Sequence, residues 1–130
     1  MAVATCIVTP TKFVRRTIAN ATAVPIGTIM KLETANTVVV SAANNDPFGG
    51  FAWEEHTASE GITEMTVAMN GTWSCTTTAA AIGAGVPVSV GGANAVRATI
   101  EADVELGCEL NGRCLNTVGG GGGTAIVEIL

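Results

Sequence analysis

The chain's one histidine, His56, lies in Trp53-Glu54-Glu55-His56, with Thr57 and Ser59 just behind it. An imidazole beside a hydroxyl and a carboxylate is the material of acyl transfer: the ring takes the hydroxyl proton and the carboxylate orients the ring. Neighbours in one short loop rarely hold that geometry, and the Gly-x-Ser-x-Gly elbow is absent. His56 is therefore expected to be a solvated loop residue. Carboxylates cluster at Glu54-Glu55 and again at Glu101, Asp103 and Glu105. Glycoside hydrolysis needs two carboxyls flanking a sugar-binding cleft. Such clefts are usually lined with aromatics, and here only Phe13, Phe48, Phe51, Trp53 and Trp73 are present, most of them reading as core. The acidic stretch 101–109 reads as a solvated edge whose charges discourage unwanted strand pairing.

Metal chemistry would draw on Cys6, Cys75, Cys108, Cys114 and His56. Tight Cys-x₂₋₄-Cys pairs typical of zinc sites are missing. Cys108 and Cys114 flank Asn111-Gly112, a hairpin signal, which leaves three arrangements: buried free thiols, a cross-strand disulfide, or two metal ligands. The run Gly119–Gly123 precedes Thr124, but neither the lysine nor the helix of a phosphate-binding loop follows, so it reads as a tight turn. Asn20-Ala21-Thr22 and Asn70-Gly71-Thr72 match the glycosylation pattern, which carries meaning only on a secretory route. No metal and no cofactor are expected.

The chain has 130 residues, which suits one domain. Only 13% of residues are charged against 48% hydrophobic, and mean hydropathy is +0.45. Ordinary soluble domains carry about 25% charged residues, so this surface leans apolar, as in a subunit of an assembly. The net charge is −5, and only Arg15-Arg16, with Lys12 nearby, cluster as bases. Binding to nucleic acid, which needs grouped Lys and Arg, is not expected. No apolar run reaches 18 residues, and the N-terminus lacks signal-peptide order, so neither a membrane span nor secretion is expected and the protein is read as made in a cytoplasm.

The elements that would position these residues are short strands. Residues 1–23 read as an extended N-terminal arm, interrupted by Pro10, and 24–130 as the body. Within the body, Ile29–Leu32, Thr37–Ser41, Phe48–Glu54, Ile62–Met69, Thr72–Thr76, Pro87–Val90, Ala95–Ala98, Leu106–Leu110, Arg113–Val118 and Thr124–Leu130 are β-branched or alternate at period two. Asn70-Gly71 and Asn111-Gly112 are expected to turn hairpins. Short strands at this spacing, with Gly-rich turns, predict an all-β fold, a small β-barrel or β-sandwich with an extended N-terminal arm.

Several of these segments carry a resemblance. Val24-Pro25-Ile26-Gly27-Thr28-Ile29-Met30-Lys31-Leu32, Phe48-Gly49-Gly50-Phe51-Ala52, Val67-Ala68-Met69-Asn70-Gly71-Thr72-Trp73, Ile82-Gly83-Ala84-Gly85-Val86-Pro87-Val88, and the ending from Leu106-Gly107-Cys108 to Ile126-Val127-Glu128-Ile129-Leu130 occur in that order. Over residues 24–130 the chain resembles the small head decoration, or capsid cement, proteins of tailed bacteriophages. The arm is not covered. The resemblance implies a β-rich body, frequently a homotrimer, that sits on the outer surface of the phage head and clamps neighbouring major capsid proteins. It implies no catalytic residues. The expected partner is thus the major capsid protein and the expected location the virion, with Lys12, Arg15 and Arg16 of the arm as candidate capsid contacts. Three readings compete. One is another structural β-subunit, of a tail tube, fibre or surface layer. Another is a ligand- or glycan-binding module with a concave site around Trp53 or Trp73. The last is an enzyme built on His56.

Overall fold

A computed structural model describes residues 3–19, 22–44, 46–100, 103 and 109–130. The protein is all-β, as expected, and it forms two small barrels. In chain order the strands are β1 (Thr5–Val8), β2 (Phe13–Thr17), β3 (Ile29–Thr34), β4 (Thr37–Val40), β5 (Phe48–Ala52), β6 (Glu64–Ala68), β7 (Gly71–Thr77), β8 (Pro87–Val90), β9 (Ala95–Ala98), β10 (Glu109–Cys114) and β11 (Thr124–Ile129). The first barrel closes in the order β2-β4-β3-β5-β6. The second runs β7-β11-β10-β8-β9 and closes through a β7–β9 pairing, with β1 added to the same edge of β7. Period-two alternation builds both interiors. On β6, for example, Met65 and Val67 are buried in the first barrel while Glu64 and Thr66 face out.

The two barrels are the same structure made twice. In each, the first strand pairs in parallel with the third and antiparallel with the fifth. The registers coincide: Phe13↔Ala68, Val14↔Val67 and Arg16↔Met65 in the first barrel become Thr72↔Glu128, Trp73↔Val127 and Cys75↔Ala125 in the second. Met30↔Val40 and Leu32↔Val38 become Val88↔Ala98 and Val90↔Val96. Ile29 to Pro87 is a step of 58 residues, Thr37 to Ala95 is 58 and Glu64 to Thr124 is 60. The irregular parts repeat as well. The bridge Val24↔His56 corresponds to Ile82↔Val118, and the glycines of the following turns, Gly27 and Gly85, both have positive φ. The Thr66 amide donates to the Glu54 carboxylate, and its counterpart, the Ile126 amide, donates to the Asn116 side chain. Asn36 and Asn94, at the tips of the matching β3–β4 and β8–β9 hairpins, share φ values of 54° and 53°.

Three expectations are corrected. The segment 1–23 does not stand apart from a body 24–130: among its described residues, β1 lies on β7 and β2 is a stave of the first barrel. Backbone donors and acceptors need partners, and these segments find theirs inside the chain. The Ala4 amide, for instance, donates to the Gly27 carbonyl (2.9 Å), and a side chain at Gly27 would collide with Ala4. Asn70-Gly71 turns no hairpin, because β6 pairs with β2 and β5 while β7 pairs with β1, β9 and β11; it is the link between barrels. Asn111-Gly112 lies within β10, where Asn111 takes a left-handed conformation (φ 58°) at a register shift against β8. A residue tolerant of positive φ serves a bulge as well as a turn. The glycine run does turn as expected, between β10 and β11, with Gly121 and Gly122 at positive φ.

The barrels are joined through one row of side chains. Ile29, Phe51 and Ala68 are neighbours across β3, β5 and β6 on the outer face of the first barrel, and all three are fully buried. They complete the core of the second barrel, where Phe51 stacks on Trp73 with ring centroids 4.2 Å apart and planes 7° from parallel. The hairpin tip of the second barrel holds the same seam from the side. Asn94 Oδ1 accepts from the Ile29 amide (2.8 Å), and Ser41 Oγ donates to the Gly92 carbonyl (3.0 Å).

Candidate functional site: the basic strand and its apolar neighbours

Strand periodicity splits the basic cluster. Arg15 and Arg16 are adjacent in β2 and therefore face opposite sides. Arg15 points outward. Its guanidinium donates to Glu54 Oε1 (2.7 Å) and Thr66 Oγ1 (3.1 Å), with Glu64 at 3.8 Å. The Glu54 carboxyl is held below its ordinary range by the hydroxyl and amide of Thr66, against a smaller opposing effect of burial, and Arg15 adds to it. Arg16 turns to the inner face, opposite Met65, where Nη1 donates to Asn36 Oδ1 (2.8 Å) and Nε is buried without a partner among the described residues. Lys12 is exposed just before β2; its amide donates to Asn70 Oδ1 (3.0 Å) and its carbonyl accepts from the Met69 amide (2.9 Å). Of the three candidate contacts, Lys12 alone presents a cation to solvent with no carboxylate beside it among the described residues.

What the same segment does present is apolar. Ile7 and Val8 on β1 are 53% and 56% exposed, and Phe13 at the start of β2 is 42% exposed. Val8 shares a shallow depression with Thr11, Asn70, Thr72, Ile129 and the exposed Leu130. The strands beneath are held in place, β1 along one edge by β7 and β2 between β4 and β6.

His56 is not a solvated loop residue: it is 2% exposed. Nδ1 lies 2.6 Å from the Thr22 carbonyl oxygen and Nε2 2.8 Å from that of Ile62. Both ring nitrogens face acceptors, and only the imidazolium can donate twice. The Ser59–His56–carboxylate arrangement is therefore not assembled, since neither nitrogen is left for a hydroxyl. The Ile62 carbonyl raises the pKa of the ring above its ordinary value; burial opposes this, while Thr22 and the nearby Glu60 add to it. A raised folded-state value means that the stabilisation is complete below the unfolded pKa of about 6.5 and is lost as pH rises through the folded value. The melting temperature is thus expected to fall between mildly acidic and mildly alkaline pH. His56→Val, which copies Val118 at the matching position, should remove that slope. A slope unchanged in His56→Val would refute the assignment.

The aromatic residues divide. Trp73 is fully buried between the barrels and offers no ligand platform. Trp53 is half-buried, edge-on to Trp73 (6.2 Å) and tilted against Phe13 (5.3 Å), so it links that seam to the exposed apolar residues. Cys75 and Cys114 are free and buried, and Cys6 is free and half-buried. Burial, with a smaller effect of Cys114, pushes the Cys75 thiol up to about 12. Cys108, and with it the Cys108–Cys114 question, lies outside the described residues. Among the described residues no three His, Cys, Asp or Glu side chains gather where a metal ion could bind. The acidic stretch is not simply a solvated edge either: Asp103 is 1% exposed and paired with Arg97, while Glu101 and Glu105 lie outside the described residues.

Sequence reasoning placed breaks between strands at 33–36 and 91–94 but missed that the two hairpin tips match. The signal was there in Ala35-Asn36 and Ala93-Asn94, the same dipeptide 58 residues apart, each set between two short strands. Neither any protein-family model nor any curated protein matches the chain.

Proposed function

We propose that this is a virion structural protein, a decoration or cement protein that binds the outer surface of a tailed-phage head and stabilises contacts between major capsid proteins. The observation that carries the reading is the group Ile7, Val8 and Phe13, large apolar side chains left exposed on β1, which is hydrogen-bonded along β7, and on β2, a stave of the closed first barrel. Such a surface buries area on a partner at roughly 25 cal/mol per Å² with little ordering entropy to offset it. Lys12 beside it adds a cation that can meet an acidic shell. The low share of charged residues, 13%, fits a surface meant to be covered, and the resemblance over residues 24–130 points the same way. The protein acts here as a clamp and uses no cofactor. The test is co-sedimentation with expanded tailed-phage heads stripped of accessory proteins. Saturable binding that raises the heat resistance of the heads is expected, weakened when Val8 and Phe13 are both changed to Glu. Heads that sediment without the protein at every concentration would overturn the reading.

A further inference from the structure

The duplication makes the barrel–barrel seam a template for an interface that is not filled. Within the chain, the second barrel brings Trp73, Gly92 and Asn94 to the outer row Ile29–Phe51–Ala68 of the first. Register identity gives each of these a counterpart. Trp73 corresponds to Val14, Gly92 to Thr34 and Asn94 to Asn36, so the first barrel presents the equivalent strand positions, with the tip asparagine retained. There Val14 is half-buried and Thr34 and Asn36 are exposed, whereas Trp73 is fully buried and Asn94 half-buried. Asn36 instead reaches across to β2: Oδ1 accepts from the Arg16 guanidinium and Nδ2 donates to the Arg15 carbonyl (3.3 Å).

The receiving row has a counterpart too, and it has been altered. Ile29, Phe51 and Ala68 correspond to Pro87, Arg113 and Glu128, which are likewise direct neighbours across three strands. Each specific contact of the seam is missing there. Pro87 has no amide hydrogen to offer the tip asparagine. Arg113 stands in place of the stacked Phe51 and pairs with Glu128 (3.2 Å), and both line an open depression with Glu109 and Asn111. A terminal unit whose outer face is made polar stops a repeat from propagating.

We infer that the face of the first barrel around Val14, Thr34 and Asn36 is a vacant docking site. Its occupant is a different protein that presents an apolar row on a sheet with a free main-chain amide beside it, and a second copy of this chain is excluded by its own charged row. The inference rests on the duplication and not on the shell reading, so either can fail alone.

The test supplies the missing row. In the full chain, Pro87→Ile, Arg113→Phe and Glu128→Ala together rebuild the receiving surface, and head-to-tail contacts of this kind build rings or open filaments of many copies. By light scattering, the mass of this variant is expected to rise with concentration above that of the wild type. Adding Thr34→Arg, an exposed change on the docking face, should return the wild-type mass. Arg113→Phe with Glu128→Ala alone changes no buried backbone and should show weaker growth of the same kind, which keeps the test open if the triple variant misfolds. The proposal is overturned if folded variants keep the wild-type mass, or if growth persists with Thr34→Arg, which would mark nonspecific apolar association.

Discussion

Replacing Asp103 with alanine is expected to destabilise the protein by about 3–5 kcal/mol, the cost of leaving one member of a buried ion pair alone. The Arg97 side chain is 14% exposed and that of Asp103 1%, so neither charge can turn to water. The carboxylate meets both guanidinium nitrogens, one at 2.8 Å, and also accepts from the Ile100 amide (2.8 Å). The guanidinium in turn donates to the Asn44 carbonyl (2.7 Å), tying β9 to the loop before β5, while its Nε finds no partner among the described residues. With the carboxylate removed, a cation remains in a site with little else to balance it. Urea unfolding measures the loss. Asp103→Leu with Arg97→Met, which removes both charges and keeps volume, should recover much of it. A loss below about 1 kcal/mol for Asp103→Ala would place the pair in the class of exposed salt bridges and contradict its burial.

Trp73→Ala is expected to cost about as much, roughly 3–5 kcal/mol, because the indole serves both barrels at once. It fills the second core, stacks on Phe51 of the first barrel and donates from Nε1 to the Asn70 carbonyl (3.0 Å) in the link between them. A double-mutant cycle with Phe51→Ala isolates the stacked pair, for which about 0.5–1.5 kcal/mol of coupling is expected. Additive losses in that cycle would show that the rings only fill space. Trp73→Phe keeps most of the volume but not the donor, and should fall between wild type and Trp73→Ala.

Local chemistry was legible in the sequence where a single strand or turn decides it. Alternation over Glu64–Ala68, the turns through Gly27 and Gly85, and the glycine run before β11 all form as their residues dictate. Pairing was less legible. Asn-Gly reports that a backbone tolerates positive φ, not which strands lie on either side, and here the two Asn-Gly steps became a linker and a bulge. The duplication hides for a related reason. It preserves which side of each strand faces inward, and Val14 against Trp73 or Arg16 against Cys75 satisfy that rule with no shared identity. The candidate site suffered from adjacency read as proximity. Arg15 and Arg16 are neighbours in the chain and point apart on the strand, while the carbonyls that hold His56 come from Thr22 and Ile62, on either side of it in sequence.

The placement of β1 on β7 has a consequence for synthesis. β1 pairs Thr5 with Ser74, so it is made long before its partner exists. The first barrel, by contrast, draws all its staves from residues 13–68 and can close while translation continues. During that interval Ile7 and Val8 lie beside a finished barrel on an unpaired β-prone segment, open to chaperones or neighbouring nascent chains on the same message. Slow decoding after the first barrel would lengthen this exposure. The yield of soluble protein should therefore depend on the rate at which the second half is made.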